Sequence, residues 1–192
     1  KDIVFDVILL GPKHPTFPTY KALCAISQYL GLKDAFCLTE SPFILMNISM
    51  SGQFSAHITS SIFAGFILAF PYVFWEFWRF ISPALHANET KMARGIVFFS
   101  SVLFLLGVLF GYYVLAPLSV NFLGSYQVSS SVANQISLTS FISTVTTVSF
   151  ATGIVFELPV MTYFFTKIGF LTPDFMRVYR KHAIVAILIL AA

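Results

Sequence analysis

The near absence of charge over one long stretch is the feature that most constrains this sequence. Residues 95–166 are 72 residues with a single Asp, Glu, Lys or Arg, which is Glu157. Over the whole chain 57% of residues are apolar and 10% are charged, and the mean hydropathy is +0.84. A soluble domain is roughly 25% charged, and a soluble chain of this size cannot bury so much apolar surface inside itself. The sequence therefore predicts a chain whose apolar side chains face a lipid bilayer.

Apolar runs of about 20 residues, the length that crosses a bilayer, divide the chain into membrane helices and loops. We predict an all-α polytopic membrane helix bundle. Its regions are an external region at 1–54, transmembrane helices at 55–78, 95–122 and 139–166, loops at 79–94, 123–138 and 167–181, and the start of a further transmembrane helix at 182–192. Each complete span contains one proline, Pro71, Pro117 or Pro159. Because a helix-interior proline removes a backbone hydrogen bond, we expect kinked helices.

The Lys and Arg content of the loops predicts the orientation of the bundle. Segment 79–94 contains three such residues and segment 167–181 contains four, whereas 124–137 contains none. Short basic loops lie in the cytoplasm, so 79–94 and 167–181 are predicted to be cytoplasmic and 123–138 external. The external N-terminal region and the incomplete last span predict further spans on both sides of this sequence.

Glu157 is the strongest single candidate for a functional residue. A charge near the middle of a bilayer costs about 2.5–3.5 kcal/mol on insertion scales. Such a residue usually faces a cavity or a partner, and a hydrogen bond to a neighbouring helix is the structural alternative. Glu89, in the loop 79–94, is by its own chemistry a solvated carboxylate.

The two cysteines predict either a disulfide or free thiols, and the sequence has no motif typical of metal-binding, enzymatic or nucleic-acid-binding proteins. If the external region faces an oxidising compartment, a disulfide between Cys24 and Cys37 is expected; two buried free thiols are the alternative. No Cys or His spacing indicates a metal site, and no hydrolase or metalloprotease motif indicates an enzyme. No basic cluster with interleaved aromatic residues indicates nucleic-acid binding. We therefore expect no cofactor, no enzymatic activity and no nucleic-acid partner.

Four stretches, taken in order, resemble one family of membrane proteins. They are FWRFISPAL with the following Glu89, LLGVLFGYYVLAPLSVNFL, TGIVFELPV and GFLTPDFMRVYRK. Their order and spacing resemble those of TatC, the multi-spanning component of the twin-arginine protein translocase, from about Ser41 to Ala192. Known TatC proteins have six spans with both termini in the cytoplasm. The resemblance therefore implies that the sequence lacks helix 1 and stops in helix 5.

The resemblance also implies a function and a set of site residues. TatC proteins recognise twin-arginine signal peptides and export folded proteins across the bacterial cytoplasmic (inner) membrane with the proton-motive force. The aromatic residue and the Glu of the family's signal-peptide-binding loop correspond to Phe80 and Glu89. Its intramembrane Glu corresponds to Glu157, which would meet a polar group of a partner in the membrane.

The partners implied by the resemblance are twin-arginine signal peptides of folded cargo, single-span TatA- and TatB-like subunits, membrane lipid, and further copies of the protein in an oligomer. The alternative hypothesis is a secondary transporter of a small solute that uses Glu157 as its proton or ion site. An intramembrane enzyme would need a second polar catalytic residue at the same depth, and a purely structural scaffold is a further alternative.

Overall fold

Three long helices dominate the described part of the molecule. The computed structural model describes residues 9–14, 17–29, 43–81, 90–126 and 135–167, with Lys181 and Val185. In chain order the elements are a 3₁₀ turn (Gly11–Lys13), α1 (Pro18–Tyr29), β1 (Ile44–Met46), α2 (Gly52–Ile81), α3 (Thr90–Phe110), a π-helical segment (Gly111–Leu115), α4 (Ala116–Ser125), β2 (Gln135–Ser137) and α5 (Leu138–Lys167).

Within these described ranges, three stretches of helix are long and apolar enough to cross a membrane. They are Gly52–Phe80, Gly95–Ser125 and Leu138–Thr166. The predicted class, a multi-spanning helical membrane protein, is confirmed. The helices extend past the predicted spans, because helical hydrogen bonds continue beyond the apolar core of a bilayer. The further helix predicted at 182–192 lies outside the described residues except for Val185, and the sidedness of the loops stays a prediction.

A short parallel ribbon joins two of the spans at one end of the bundle. Strand β1 pairs with β2, with Leu45 opposite Ile136 at the centre of the register. Since β1 precedes α2 and β2 precedes α5, the pairing ties the starts of these two helices together. We call this the ribbon end. The opposite end, where α2 ends, α3 begins and α5 ends, is called the basic end after the segments 79–94 and 167–181.

Glycines bring α3 and α5 into backbone contact. A Cβ atom added to Gly107 would lie 2.9 Å from the Cα of Gly153, and one added to Gly111 would lie 2.8 Å from the Cα of Ser149. Gly107 and Gly111 form a Gly-x-x-x-Gly pattern, which lets two membrane helices approach closely. Dispersion contacts between closely packed backbones therefore hold this pair of helices together.

Aromatic rings connect α2 to the other two spans. Phe104 of α3 is fully buried, and its ring stacks on that of Phe70 of α2 with centroids 3.7 Å apart. The same Phe104 ring meets Phe150 of α5 edge to face at 6.2 Å. Such pairs add about 0.5–1.5 kcal/mol beyond area burial, so one central contact links all three helices.

The remaining core forms two apolar clusters. The cluster toward the ribbon end comprises Leu9, Phe43, Ala56, Ala116, Val120, Phe141, Ile142 and Val145. The cluster toward the basic end comprises Phe74, Trp78, Val97 and Phe164.

An apolar groove of about 480 Å³ lies at the basic end, between the start of α3 and the end of α5. These two helices are thus in backbone contact near Gly107, and near the basic end side chains of both line the groove.

The second span changes its helical geometry next to Pro117. Pro117 has no N–H, so the carbonyl group of Tyr113, four residues earlier, loses the donor that an α-helix would supply. The π-helical segment lies at this position, and the hydroxyl group of Thr19 donates to the Tyr113 carbonyl oxygen. A side chain from α1 thus satisfies a backbone group freed by a proline inside a span, as membrane helices require.

Tyr20 makes a second link between α1 and this proline. Its hydroxyl group lies 3.0 Å from the carbonyl oxygen of Pro117 and 3.1 Å from that of Pro12, so one O–H donor is shared between two acceptors. Burial raises the pKa of Tyr20 to about 12. The hydroxyl group therefore remains a donor throughout the physiological pH range.

Thr19→Val is expected to lower the stability of the folded protein by about 1 kcal/mol, because the carbonyl oxygen of Tyr113 then loses its donor. Thr19→Ser, which keeps the hydroxyl group, is expected to melt close to the unsubstituted protein. The measurement is thermal unfolding of the purified protein in detergent. Equal melting of the valine and serine variants would show that this hydrogen bond contributes nothing.

Candidate functional site

Glu157 is buried among the described helices. It lies in α5 with 5% of its surface exposed, and its carboxyl group meets Ser100 of α3, which is fully buried. The Ser100 hydroxyl group donates to Oε2 of Glu157. The structural alternative considered for Glu157, a hydrogen bond to a neighbouring helix, is therefore present.

Ser100 uses its hydroxyl group differently from its neighbours. The adjacent Ser101 donates to the carbonyl oxygen of Val97 in its own helix, at 2.8 Å. Other buried or half-buried hydroxyl groups of α2 and α5 also donate to carbonyl oxygens of their own helices: Ser60, Thr146, Ser149 and Thr152. Ser100 instead donates to a side chain of another helix, Glu157 of α5.

The second oxygen of Glu157 has no partner among the described residues. Oε1 is buried and accepts no hydrogen bond from them, and the indole Nε1 of Trp78 is likewise buried without an acceptor. An unsatisfied buried polar group costs about 1–3 kcal/mol, and more when it is charged. Since buried polar atoms in native proteins nearly always have partners, Oε1 needs a donor that this part of the chain does not supply.

Helix packing sets the position of the polar pair. Ser100, Phe104, Gly107 and Gly111 are spaced by four, three and four residues, so they lie on one face of α3. That face contacts α5 where Gly153 lies, one turn before Glu157. The close approach at the glycines therefore fixes which residue of α3 meets the carboxyl group.

The other predicted site residues lie elsewhere. Phe80 is in the last turn of α2 at the basic end, with 83% of its surface exposed. Nearby, Arg79 and Glu76 form an exposed ion pair at 3.6 Å, as an i,i+3 spacing allows. Glu89 lies outside the described residues. Phe80 therefore lies at the end of one candidate span, whereas Glu157 lies in the interior of another, and the two do not share one site.

The described residues leave the disulfide prediction open. Cys24 lies in α1, and Cys37 lies outside the described residues, so the pairing of these two cysteines stays a prediction. In the described part of the chain no three His, Cys, Asp or Glu residues are grouped so that they could hold a metal ion.

Sequence reasoning missed Ser100 as a partner of Glu157, and Thr19 and Tyr20 as partners of the second span. The Gly107-x-x-x-Gly111 pattern in the sequence does indicate that this helix packs closely against another. No pattern indicates Ser100, because it is one of two adjacent serines in an apolar run.

Comparison with known proteins identifies the family. Residues 5–192 match the family of the Sec-independent protein translocase protein TatC. The TatC protein of Blattabacterium sp. (strain BPLAN) is 38% identical over the whole of this chain, which covers 73% of that protein. The TatC protein of Helicobacter pylori (strain J99) is 40% identical over 69% of this chain, and the aligned part is 53% of its length.

Solved structures agree with this match. A crystal structure of the twin arginine translocase receptor TatC in DDM aligns with 96% of this chain and 80% of that chain, with a TM-score of 0.68 and 30% sequence identity. A second crystal structure of that receptor gives a TM-score of 0.67. These findings give no support to the small-solute transporter hypothesis. The chain belongs to the TatC family of Sec-independent protein translocase proteins.

Proposed function

We propose that this protein recognises twin-arginine signal peptides and acts in the export of folded proteins across the bacterial cytoplasmic membrane. The observation that carries the proposal is the match to the solved twin arginine translocase receptor over 96% of this chain. Single-span TatA- and TatB-like subunits and further copies of the protein are the proposed partners in the membrane. The proton-motive force is the proposed energy source.

Phe80 and Glu89 are the proposed signal-peptide-binding residues. The guanidinium group of Arg is a planar fork that pairs with a carboxylate through two hydrogen bonds. Such a pair is stronger at a partly dry headgroup surface than in bulk water. The exposed ring of Phe80 at the end of α2 supplies an apolar contact at the membrane boundary, beside the loop that contains Glu89.

A crosslinking experiment tests this proposal. A photo-reactive residue at Asn88, beside Glu89, is introduced into the full-length protein in native membranes. A precursor with a twin-arginine signal peptide is then offered, and the same precursor with twin lysine serves as the matched control. We expect a crosslink to the twin-arginine precursor alone, because Lys cannot form the two-pronged pair.

Glu89→Ala is expected to lower the yield of this crosslink by about tenfold, the effect of losing one charged hydrogen bond. Glu76→Ala, which removes an exposed carboxylate from the end of α2, is the control and is expected to leave the yield unchanged. Equal crosslinking of the twin-lysine precursor, or an undiminished yield with Glu89→Ala, would contradict the assignment of Glu89.

Glu157 is the proposed contact for a partner inside the membrane. Its carboxyl group is buried at a helix seam with one oxygen unsatisfied by the described residues. A polar group on the helix of a TatA- or TatB-like subunit, or on an inserted signal peptide, would complete the site.

A further inference from the structure

We propose that Ser100 is a positioning residue for Glu157. Its hydroxyl group holds Oε2, so that Oε1 is kept for a hydrogen-bond donor carried by a transmembrane helix that inserts against the bundle. This inference rests on the proposed function, since it concerns how the carboxyl group of Glu157 is oriented before a partner helix binds.

The first argument is the direction of the Ser100 hydroxyl group. In a membrane helix a serine normally satisfies its own hydroxyl group on a carbonyl oxygen three or four residues earlier, and Ser101 does so. Ser100 instead donates to Glu157 across the interface between α3 and α5. One carboxyl oxygen is thereby occupied and the orientation of the carboxyl group is restricted, whereas without this bond its terminal torsion would be broadly distributed.

The second argument is the unsatisfied state of the other oxygen. Oε1 is buried without a donor among the described residues, although the site is packed closely enough to leave Ser100 with no exposed surface. A site in which the carboxyl group of Glu157 served only as a structural link between helices would be expected to satisfy both oxygens. One occupied and one vacant oxygen is the arrangement expected of a group that awaits a donor.

The third argument is access from the lipid. Glu157 borders the exposed stripe of α5, because Ile154 and Leu158 have 49% and 56% of their surfaces exposed. Oε1 lies below this surface, so a donor reaches it when the flanking apolar side chains separate. A helix that packs on Ile154 and Leu158 is therefore adjacent to the carboxyl group, and the new hydrogen bond favours that arrangement.

Three substitutions at Ser100 separate the hydrogen bond from packing. Ser100→Ala removes the hydroxyl group, Ser100→Cys keeps the shape with a weak donor, and Ser100→Thr keeps the hydroxyl group with one added methyl group. Ser101→Ala is the matched control, since its hydroxyl group bonds only within α3. Each variant is made in the full-length protein, and export of a twin-arginine precursor is measured at equal amounts of folded protein.

We expect the Ser100→Thr variant to export the precursor faster than the Ser100→Cys and Ser100→Ala variants. We expect Ser100→Ala and Ser100→Cys to lower the rate by about tenfold, the effect of losing one hydrogen bond, and Ser101→Ala to leave it unchanged. A packing role predicts the opposite order, with Cys at or above Thr. That order, or full export by Ser100→Ala, overturns the inference.

The Asn88 crosslink separates this inference from the proposed function. We expect Ser100→Ala to keep the crosslink to the twin-arginine precursor, because recognition occurs at the basic end and the polar pair lies within a span. Loss of that crosslink in correctly inserted Ser100→Ala also overturns the inference. If the unsubstituted protein gives no twin-arginine-dependent crosslink, the proposed function itself fails.

Discussion

Gly107→Leu is expected to leave little folded protein in the membrane, whereas Gly65→Leu is expected to leave the folded amount unchanged. A Cβ atom at Gly107 would lie 2.9 Å from the Cα of Gly153 and 2.8 Å from the Cβ of Phe156. The first of these atoms is backbone and cannot rotate away. Inserting extra carbon atoms into a packed interface costs about 1–3 kcal/mol or more, a large share of a marginal stability.

Gly65 is the matched control because it is a glycine in the interior of another span. A Cβ atom added there meets no atom within 4 Å, and Gly65 is exposed. Replacing a helical glycine also gains roughly 0.5–1 kcal/mol of helix propensity. The measurement is the monodisperse fraction of detergent-extracted protein and its resistance to protease. A Gly107→Leu protein as abundant and as resistant as Gly65→Leu would mean that α3 and α5 do not approach at Gly107.

Glu157→Leu is expected to reduce export by about tenfold or more, because it removes the hydrogen bond with Ser100 and the second carboxyl oxygen together. Glu157→Gln keeps an amide oxygen that can accept from Ser100 but removes ionisation. We therefore expect Gln to fold as well as Glu and to export more slowly, because its amide oxygen is held by Ser100 and its NH2 group cannot accept a hydrogen bond from a partner.

Glu76→Gln provides the control for Glu157. Glu76 forms an exposed ion pair with Arg79, and such pairs contribute about 0–1 kcal/mol, so export by this variant is expected to match the unsubstituted protein. Export is measured as protease-protected precursor in membrane vesicles. Full export by Glu157→Gln would exclude a role for ionisation of Glu157, and full export by Glu157→Leu would exclude any role for its carboxyl group.

The transmembrane architecture could be predicted because a bilayer imposes it. Backbone groups in lipid must be satisfied within the segment, so apolar runs of about 20 residues become helices. The three prolines were correctly placed within the helices of the spans, and Glu157 was correctly identified as the charge within a span. The sequence does not show how each helix is rotated about its axis. Successive residues of a helix point about 100° apart, and this rotation decides that Ser100 meets Glu157 while Ser101 faces its own helix.

The ribbon and the external contacts could not be predicted for a different reason. Strands β1 and β2 are three residues long, which is too short to produce an alternating pattern, and their pairing partners are far apart in the sequence. The hydrogen bond from Thr19 to Tyr113 depends on where a loop returns to a helix. No local sequence pattern predicts which helix the loop will contact.

The roles of Phe80 and Glu89 come from family resemblance and stay predictions, as does the pairing of Cys24 with Cys37.

The two ends of the α2–α5 pair are joined by different interactions. Backbone hydrogen bonds between β1 and β2 tie the segments that precede α2 and α5, whereas at the other end these helices meet through side chains such as Trp78 and Phe164. Helix α5 has 30 residues, so it is about 45 Å long, and a rotation of about 5° at the ribbon would move its far end by about 4 Å. The same rotation would displace Glu157, which lies partway along α5, by less than it displaces the basic end of the helix.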